Sequence, residues 1–379
     1  MILLNEPYTS LNLKSYIDNC LKTNWVSTNG KYISKLENEL KKFTKSKYIN
    51  LVNSGTSALH LALKVIGTDR NTEILCPSMT FVATINAIIY NQGSPIFFDC
   101  DKHHNIDVLS VVDFIKKNTK FKNGFSFNKK TKKIIKGLIV VHMWGNVCDF
   151  SKLKNLCKIK NIKIIEDASE SLGSSFLHGK TKKHTGTVGD LGCLSFNGNK
   201  IITTGSGGAV LTNNKIYHEK VKYLSTQAKN DFLRFKHNEL GFNYKMANLN
   251  AALGCSQMEN LNLFIKKKKM IHFQYLKFLN KKKYLNLVPS PKSHDNNHWL
   301  NILHIDKKYK LSPLQLHKKF ISNKIQTRMI WYPCHLQSYL KKFQKYHIKK
   351  TKKYFDRCIC LPSGSALSEK KIKKICSLL

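Results

Sequence analysis

Residues 133–168, KIIKGLIVVHMWGNVCDFSKLKNLCKIKNIKIIEDA, decide the fold. Lys133–His142 is the most strongly apolar strand candidate in the chain. A short helix is expected near Leu153–Lys158, and Lys163–Glu166 returns as a second strand. Continuous apolar strands joined through a helix imply parallel neighbours with both sheet faces covered.

The same alternation extends outward. Towards the N-terminus, Pro95–Phe98, Glu73–Cys76 and Tyr48–Val52 read as strands, with a helix through Ala83–Tyr90. A helix precedes them in YISKLENELKKFTK, where Ile33, Leu36, Leu40 and Phe43 recur at helical spacing and Glu37, Lys41 and Lys42 face water. After Tyr48–Val52, a glycine turn opens a second apolar helix in NSGTSALHLALKVIG. Towards the C-terminus, Leu191–Phe196 and Ala209–Thr212 complete the series. Lys120–Lys132 interrupts it and reads as a hairpin or loop insertion. A helical stretch over Asn248–Leu263 leads out, and the lysine-rich remainder returns to α/β alternation. The expectation is an α/β protein: a mostly parallel sheet in a large domain, residues 1–255, and a smaller C-terminal α/β domain, residues 256–379.

Composition narrows the class. The chain has 379 residues, 42% of them apolar, enough for two proper cores. Its short apolar start is broken at once by Asn5, Glu6 and Pro7, unlike a signal peptide, and no apolar run approaches a membrane span. A soluble cytoplasmic protein is expected. Eleven cysteines without a CxxC pair argue for reduced thiols and no metal site. The net charge of +41, from 64 Lys+Arg against 23 Asp+Glu, raises the question of nucleic acid. The excess is nearly all lysine rather than arginine. Its runs, Lys266–Lys269, Lys281–Lys283 and Lys349–Lys353, lack interleaved aromatics for base stacking. A dedicated nucleic-acid binder is therefore disfavoured.

Four features carry chemistry, each with a plainer reading beside it. Asn53–Ala58 at a helix start offers backbone N–H groups and hydroxyls to a phosphate, or ordinary helix capping. Ile164–Ala168 ends a strand in carboxylates at the edge where α/β sheets bind ligands; a cap or surface ion pair is equally readable. Ser195–Lys200 places a lysine in a small-residue turn after a buried strand, as a Schiff-base lysine requires, although most lysines here are solvated charges. Thr204–Gly208 permits close backbone approach beside that lysine, or makes a simple turn. Phe81, after a strand, could cover a ring or fill a core.

Taken in order, NSGTSALHLAL, PSMTFVATINAI, EDASESLGS, SFNGNKIITTGSGG and GFNYKMANLNAALG resemble the DegT/DnrJ-type family of pyridoxal phosphate (PLP)-dependent sugar aminotransferases. The resemblance runs from about Trp25 to Pro362. WVSTNGKY and NHWLN, with EDASESLGS and SFNGNKIITTG, look most like its legionaminic-acid-type branch, which makes 4-amino sugars. The resemblance implies fold type I of PLP enzymes and a homodimer with active sites at the subunit interface. It implies Lys200 as the lysine bonded to the cofactor and Asp167 as partner of the pyridine nitrogen. Gly55, Thr56, Ser57 and Ser195 then match the phosphate cup, Phe81 the ring-stacking position, and Asn243 a residue reaching the phosphate of the other subunit. Glu170 falls where many members carry Gln or His near the ring hydroxyl. Trp331 and His335 match the sugar side. The implied reaction moves an amino group from L-glutamate to a UDP- or GDP-linked 4-keto-6-deoxy sugar. A dehydratase variant within the family lacks the lysine that Lys200 supplies; a regulatory PLP-binding protein is the other alternative.

Overall fold

The computed structural model describes residues 1–8, 12–178, 180–231 and 233–379. Helix α1 (Leu13–Lys22) precedes the expected α2 (Lys31–Thr44). It escapes a sequence reading because Cys20 is its single buried residue. The chain continues through β1 (Tyr48–Val52), α3 (Gly55–Val65), β2 (Thr72–Pro77), α4 (Val82–Tyr90), β3 (Ser94–Phe98) and α5 (Val108–Asn118). A hairpin of β4 (Thr119–Lys122) and β5 (Phe125–Asn128) fills the predicted insertion. Next come β6 (Ile134–Val141), α6 (Ser151–Ile159), β7 (Lys163–Asp167), the hairpin β8 (Ser175–His178) with β9 (Thr181–His184), β10 (Leu191–Ser195) and β11 (Gly208–Thr212).

Beyond them lie α7 (Lys215–Ser225), the small ribbon β12 (Lys229–Asp231) and β13 (Lys236–His237), α8 (Asn248–Met258) and α9 (Leu261–Leu279). The single helical stretch expected over Asn248–Leu263 is thus two helices, broken where Asn260 leaves helical geometry (φ −109°, ψ 4°). Asparagine competes locally for backbone hydrogen bonds, which suits it to such a break. The rest comprises β14 (Leu285–Leu287), β15 (Asn301–Ile305), α10 (Pro313–Ser322), β16 (Arg328–Met329), β17 (Lys345–Tyr346), α11 (Thr351–Phe355), β18 (Cys358–Leu361) and α12 (Glu369–Ser377).

The large sheet has the order β1-β11-β10-β7-β6-β2-β3-β17, with β4 and β5 attached beside β6. Strands β10, β7, β6, β2, β3 and β17 pair in parallel, while β11 runs antiparallel to both of its neighbours. A helix-free connection explains that reversal. The Phe196 N–H donates to Gly207 O (2.8 Å) and the Thr204 N–H to Phe196 O (2.9 Å), so the chain doubles back instead of crossing over.

Apolar cores lie on both faces, one containing Leu36, Leu61, Ile165 and Leu211, the other Leu75, Phe98, Phe114 and Leu138. Burial on both sides is what made these strands read as continuous apolar runs. A third core joins α9, α10 and α12 to the antiparallel sheet β14-β15-β18-β16, and takes in Ile2 from the N-terminus. No described helix is long and apolar enough to cross a membrane. All eleven cysteines are buried and unpaired.

Candidate active site

The parallel strands end on one edge of the large sheet, and a cavity of about 280 Å³ opens there. Its wall joins Ser54, Gly55 and Thr56 after β1, Thr80, Phe81 and Thr84 after β2, and Asp167 and Glu170 from β7 onward. Ser195 ends β10, Asn199 and Lys200 follow it, and Trp299, Arg328 and Trp331 close the far side. A wider groove of about 560 Å³ beside α6 is lined by Lys154, Lys158, Lys163 and Asp190, and shares no residue with this cavity.

The cup at the start of α3 is built by close packing of three turns. Ser54 is the N-cap, its Oγ accepting from the Ser57 N–H at 3.0 Å. The N–H groups of Gly55 and Thr56 precede the first i→i−4 bond of the helix and remain available to an anion. A Cβ on Gly55 would lie 2.7 Å from Ser195 Cβ, and one on Gly208 would lie 2.6 Å from the Ser54 carbonyl. Glycine is required at both. Ser57, read as a phosphate ligand, is spent elsewhere: its hydroxyl bonds Asn53 Oδ1 (2.6 Å) and Ser54 Oγ (2.8 Å), and it does not line the cavity.

At the end of β7 the two-residue period of a strand sends adjacent carboxylates to opposite faces. Glu166 is fully buried away from the cavity. It accepts from the N–H groups of Gly186, Val188 and Gly189 at 2.6–2.8 Å and from His142 Nε2 at 2.9 Å. Burial opposes its charge, but these donors prevail and hold its pKa below the usual value. Asp167, 4% exposed, faces the cavity. Its Oδ2 accepts from the Thr84 hydroxyl (2.7 Å) and its Oδ1 from the Ser169 N–H (3.1 Å).

Lys200 and Glu170 face each other across the cavity floor. The Lys200 side chain is 14% exposed, with Nζ 4.0 Å from Glu170 Oε1 and 4.1 Å from the centre of the Trp299 ring. Loss of solvent lowers its pKa; Glu170 and Asp167 oppose that, and the Arg328 charge adds to it. Burial pushes Glu170 up to about 7. The Lys200 charge and the Trp144 N–H, which donates to Oε2 at 2.7 Å, pull it back, while Asp167 raises it. The Trp331 indole also lowers it, although its Nε1 falls short of hydrogen-bond geometry. Each group is thereby moved towards its neutral form, one as a base and one as an acid.

Trp299 is delivered by a hydrogen-bonded turn. Asn297 donates to the carbonyls of Glu170 (3.0 Å) and Leu172 (2.9 Å) and accepts from the Trp299 N–H (2.8 Å). Gly145, at φ +87°, leaves room for it: a Cβ there would lie 1.8 Å from Asn297 Oδ1. Trp299 Nε1 then donates to Asn199 O at 2.7 Å, next to Lys200.

The fold thus brings together Lys200, Asp167, Glu170, Gly55, Thr56, Ser195, Phe81 and Trp331. Phe81 is 51% exposed at the mouth, its ring 5.2 Å from that of Trp331. Besides Ser57, two expected residues stand apart. His335 is buried with Nδ1 against Ser78 Oγ, and does not line the cavity. Asn243 also lies outside the cavity of its own chain, its carbonyl accepting from Asn53 Nδ2 at 3.3 Å. Trp299, Arg328, Thr84 and Asn199 were not singled out from sequence. Trp299 and Thr84 lie in NHWLN and PSMTFVATINAI, and Arg328 is one of four arginines in the chain.

These residues fit PLP. The helix start and the Ser195 hydroxyl suit a phosphate, and a buried carboxylate suits a protonated pyridine nitrogen. A poorly basic lysine suits an aldehyde carbon, and Trp331 Nε1, buried without a partner, offers one more donor.

Comparison with known proteins gives the family. The model of the DegT/DnrJ/EryC1/StrS aminotransferase family matches residues 9–379. GDP-perosamine synthase of Escherichia coli O157:H7 is 34% identical, over 98% of this chain and 95% of that protein. UDP-4-amino-4,6-dideoxy-N-acetyl-beta-L-altrosamine transaminase of Campylobacter jejuni is 32% identical, over 69% of this chain and 66% of its own length. The solved structure of Helicobacter pylori PseC, an aminotransferase involved in the biosynthesis of pseudoaminic acid, superposes with a TM-score of 0.88. It is 23% identical and the match covers 100% of this chain and 97% of PseC. The chain belongs to the DegT/DnrJ/EryC1/StrS aminotransferase family and is a PLP-dependent sugar aminotransferase.

Proposed function

We propose that the protein transfers the amino group of L-glutamate to the 4-keto carbon of a UDP- or GDP-linked 4-keto-6-deoxy sugar, in the making of a nonulosonate (legionaminic-acid type) or another surface glycan. The observation that carries the reading is the meeting of Lys200, Asp167 and the α3 start in one cavity. The likeness to GDP-perosamine synthase spans nearly the whole chain and makes a GDP-linked sugar the first substrate to try.

PLP, when bound, supplies an electrophilic carbon and a conjugated ring that takes up the electron pair left as a C–H bond breaks. Gly55, Thr56 and Ser195 would hold its phosphate, and Phe81 would cover the ring. Asp167, kept in place by Thr84 and Ser169, would hold a proton on the pyridine nitrogen. Lys200 Nζ, made less basic by burial, would take the proton from the donor's α-carbon and return it elsewhere. Glu170 would share a proton near the ring hydroxyl, and Trp331 would face the sugar. A second copy would bring Asn243 to the phosphate. Exposed Phe235 and Leu240, in the segment before Asn243, would be covered by such a homodimer.

The test is the visible absorption spectrum of the protein with PLP. A yellow band that bleaches with L-glutamate, and returns when a GDP- or UDP-linked 4-keto-6-deoxy sugar is added, is expected. A band indifferent to glutamate would overturn the donor assignment, and return with neither sugar would overturn the acceptor.

A further inference from the structure

Lys268, on α9, is 2% exposed. Its three ammonium hydrogens are taken by Asn5 Oδ1 (2.6 Å), Trp299 O (3.1 Å) and Ser363 O (2.6 Å). No acid pairs with it among the described residues. A buried charge held by neutral carbonyls alone is costly, and burial lowers this amine's pKa to about 7. An apolar residue would fill the same space without that cost, so the three bonds call for an explanation.

Its acceptors belong to three segments that meet behind Lys200. Asn5 Nδ2 and Trp299 Nε1 both donate to Asn199 O, the carbonyl preceding Lys200. The Trp299 ring lies against Lys200 Nζ. The Ser363 N–H donates to Leu4 O (2.6 Å), and Ser363 Oγ accepts from Asn301 N and Nδ2 (3.0 Å each), so the third segment ties down the other two. We propose that Lys268 is a positioning residue for Lys200: its ammonium clamps the Asn5, Trp299 and Ser363 segments and, through Trp299 and Asn199, fixes the place and the dryness of the Lys200 amine. The proposal rests on the reading of Lys200 as the reacting amine.

The experiment uses the full-length protein without PLP. A small amine-reactive ester is applied across a pH series, and labelling of the Lys200 peptide is followed by mass spectrometry in wild type, Lys268→Met, Lys268→Arg and the surface control Lys266→Met. The groups facing Lys200, namely Glu170, Asp167, Arg328 and Trp299, are the same in all four. In Lys268→Met the labelling midpoint of Lys200 is expected to rise by about one pH unit as water reaches the amine, with partial return in Lys268→Arg and no change in Lys266→Met. An unchanged midpoint in folded Lys268→Met, or an equal shift in Lys266→Met, overturns the proposal. Should Lys268→Met fail to fold, Asn5→Leu decides the matter by removing one of the two donors on Asn199 O: a smaller upward shift supports the clamp, and none overturns it. Because the readout needs neither cofactor nor substrate, its failure leaves the proposed reaction standing. That reading fails separately, if turnover survives without Lys200.

Discussion

Burial lowers the basicity of Lys200 and Lys268 alike, yet the two amines end in opposite surroundings. Lys268 has every N–H committed to a carbonyl oxygen, and its neutral form would find no space in which to use a lone pair. Lys200 has a carboxylate no closer than 4.0 Å, an aromatic ring against it and a cavity in front. A depressed pKa is therefore common to a reacting amine and a structural one. What separates them is room beside the nitrogen for a carbon atom.

The sharpest way to break this contrast is to remove each amine. Lys200→Ala should abolish transamination while circular dichroism and Tm stay near wild type, because the side chain ends in a cavity and its nearest carboxylate is 4.0 Å away. Lys268→Met should do the reverse, keeping measurable turnover but losing several degrees of Tm as three carbonyl acceptors lose their donor. Turnover at the wild-type rate in Lys200→Ala would erase the distinction. Asp167→Asn comes next: kcat should fall roughly a hundredfold or more, with some cofactor still bound. Near-native kcat would remove Asp167 from the chemistry.

The contrast also marks what the sequence could convey. Lys200, Asp167 and Thr56 were legible because each sits at or just past the end of a continuous apolar strand, where local order fixes the sheet edge. Trp299 and Arg328 reach the cavity from the C-terminal part of the chain, and only tertiary packing puts them there. Ser57 and His335 match by position, but Asn53 and Ser54 engage the Ser57 hydroxyl, and Ser78 engages His335 Nδ1, away from the cavity. In the fold, α1 buries too little to show a stripe. By contrast α5 carries a legible signal in its own residues, an Asp107 cap followed by buried Val111, Phe114 and Ile115. The reversal of β11 has no signature in its own residues, since it follows from the hairpin that carries Lys200.

Glu170 sharpens the comparison from the acid side. Its folded pKa is raised from 4.5 to about 7, so the native state holds a proton that the unfolded state has released across that window. Its contribution to stability is complete below pH 4.5 and is lost as pH rises through 7. Glu170→Gln cannot titrate and still offers an oxygen to the Trp144 N–H. In cofactor-free protein, the Tm of wild type relative to Glu170→Gln should therefore fall between pH 4.5 and 7 and level off above. A constant difference would mean that the carboxyl is already ionised at low pH.

The smallest effect is expected from the lysines that dominate the composition. Lys14 makes an exposed i,i+4 pair with Asp18 at 2.6 Å, with side chains 84% and 54% exposed. Such pairs gain little, because water and the entropy of two long side chains offset the attraction. At a net charge of +41, removing one lysine also relieves repulsion. Lys14→Ala should thus leave Tm and turnover unchanged within error. The exposed lysines act together instead. Raising salt from 0.1 M to 1 M shortens the screening length from about 10 Å to about 3 Å, which weakens the many like-charge repulsions more than the few close pairs. Tm should rise with sodium chloride in wild type and Lys14→Ala alike, and a fall in both would mean that surface ion pairs outweigh the repulsion. Individual identity matters at Lys200 and Lys268, where the fold has removed the water. At Lys14, only the sum of charges is felt.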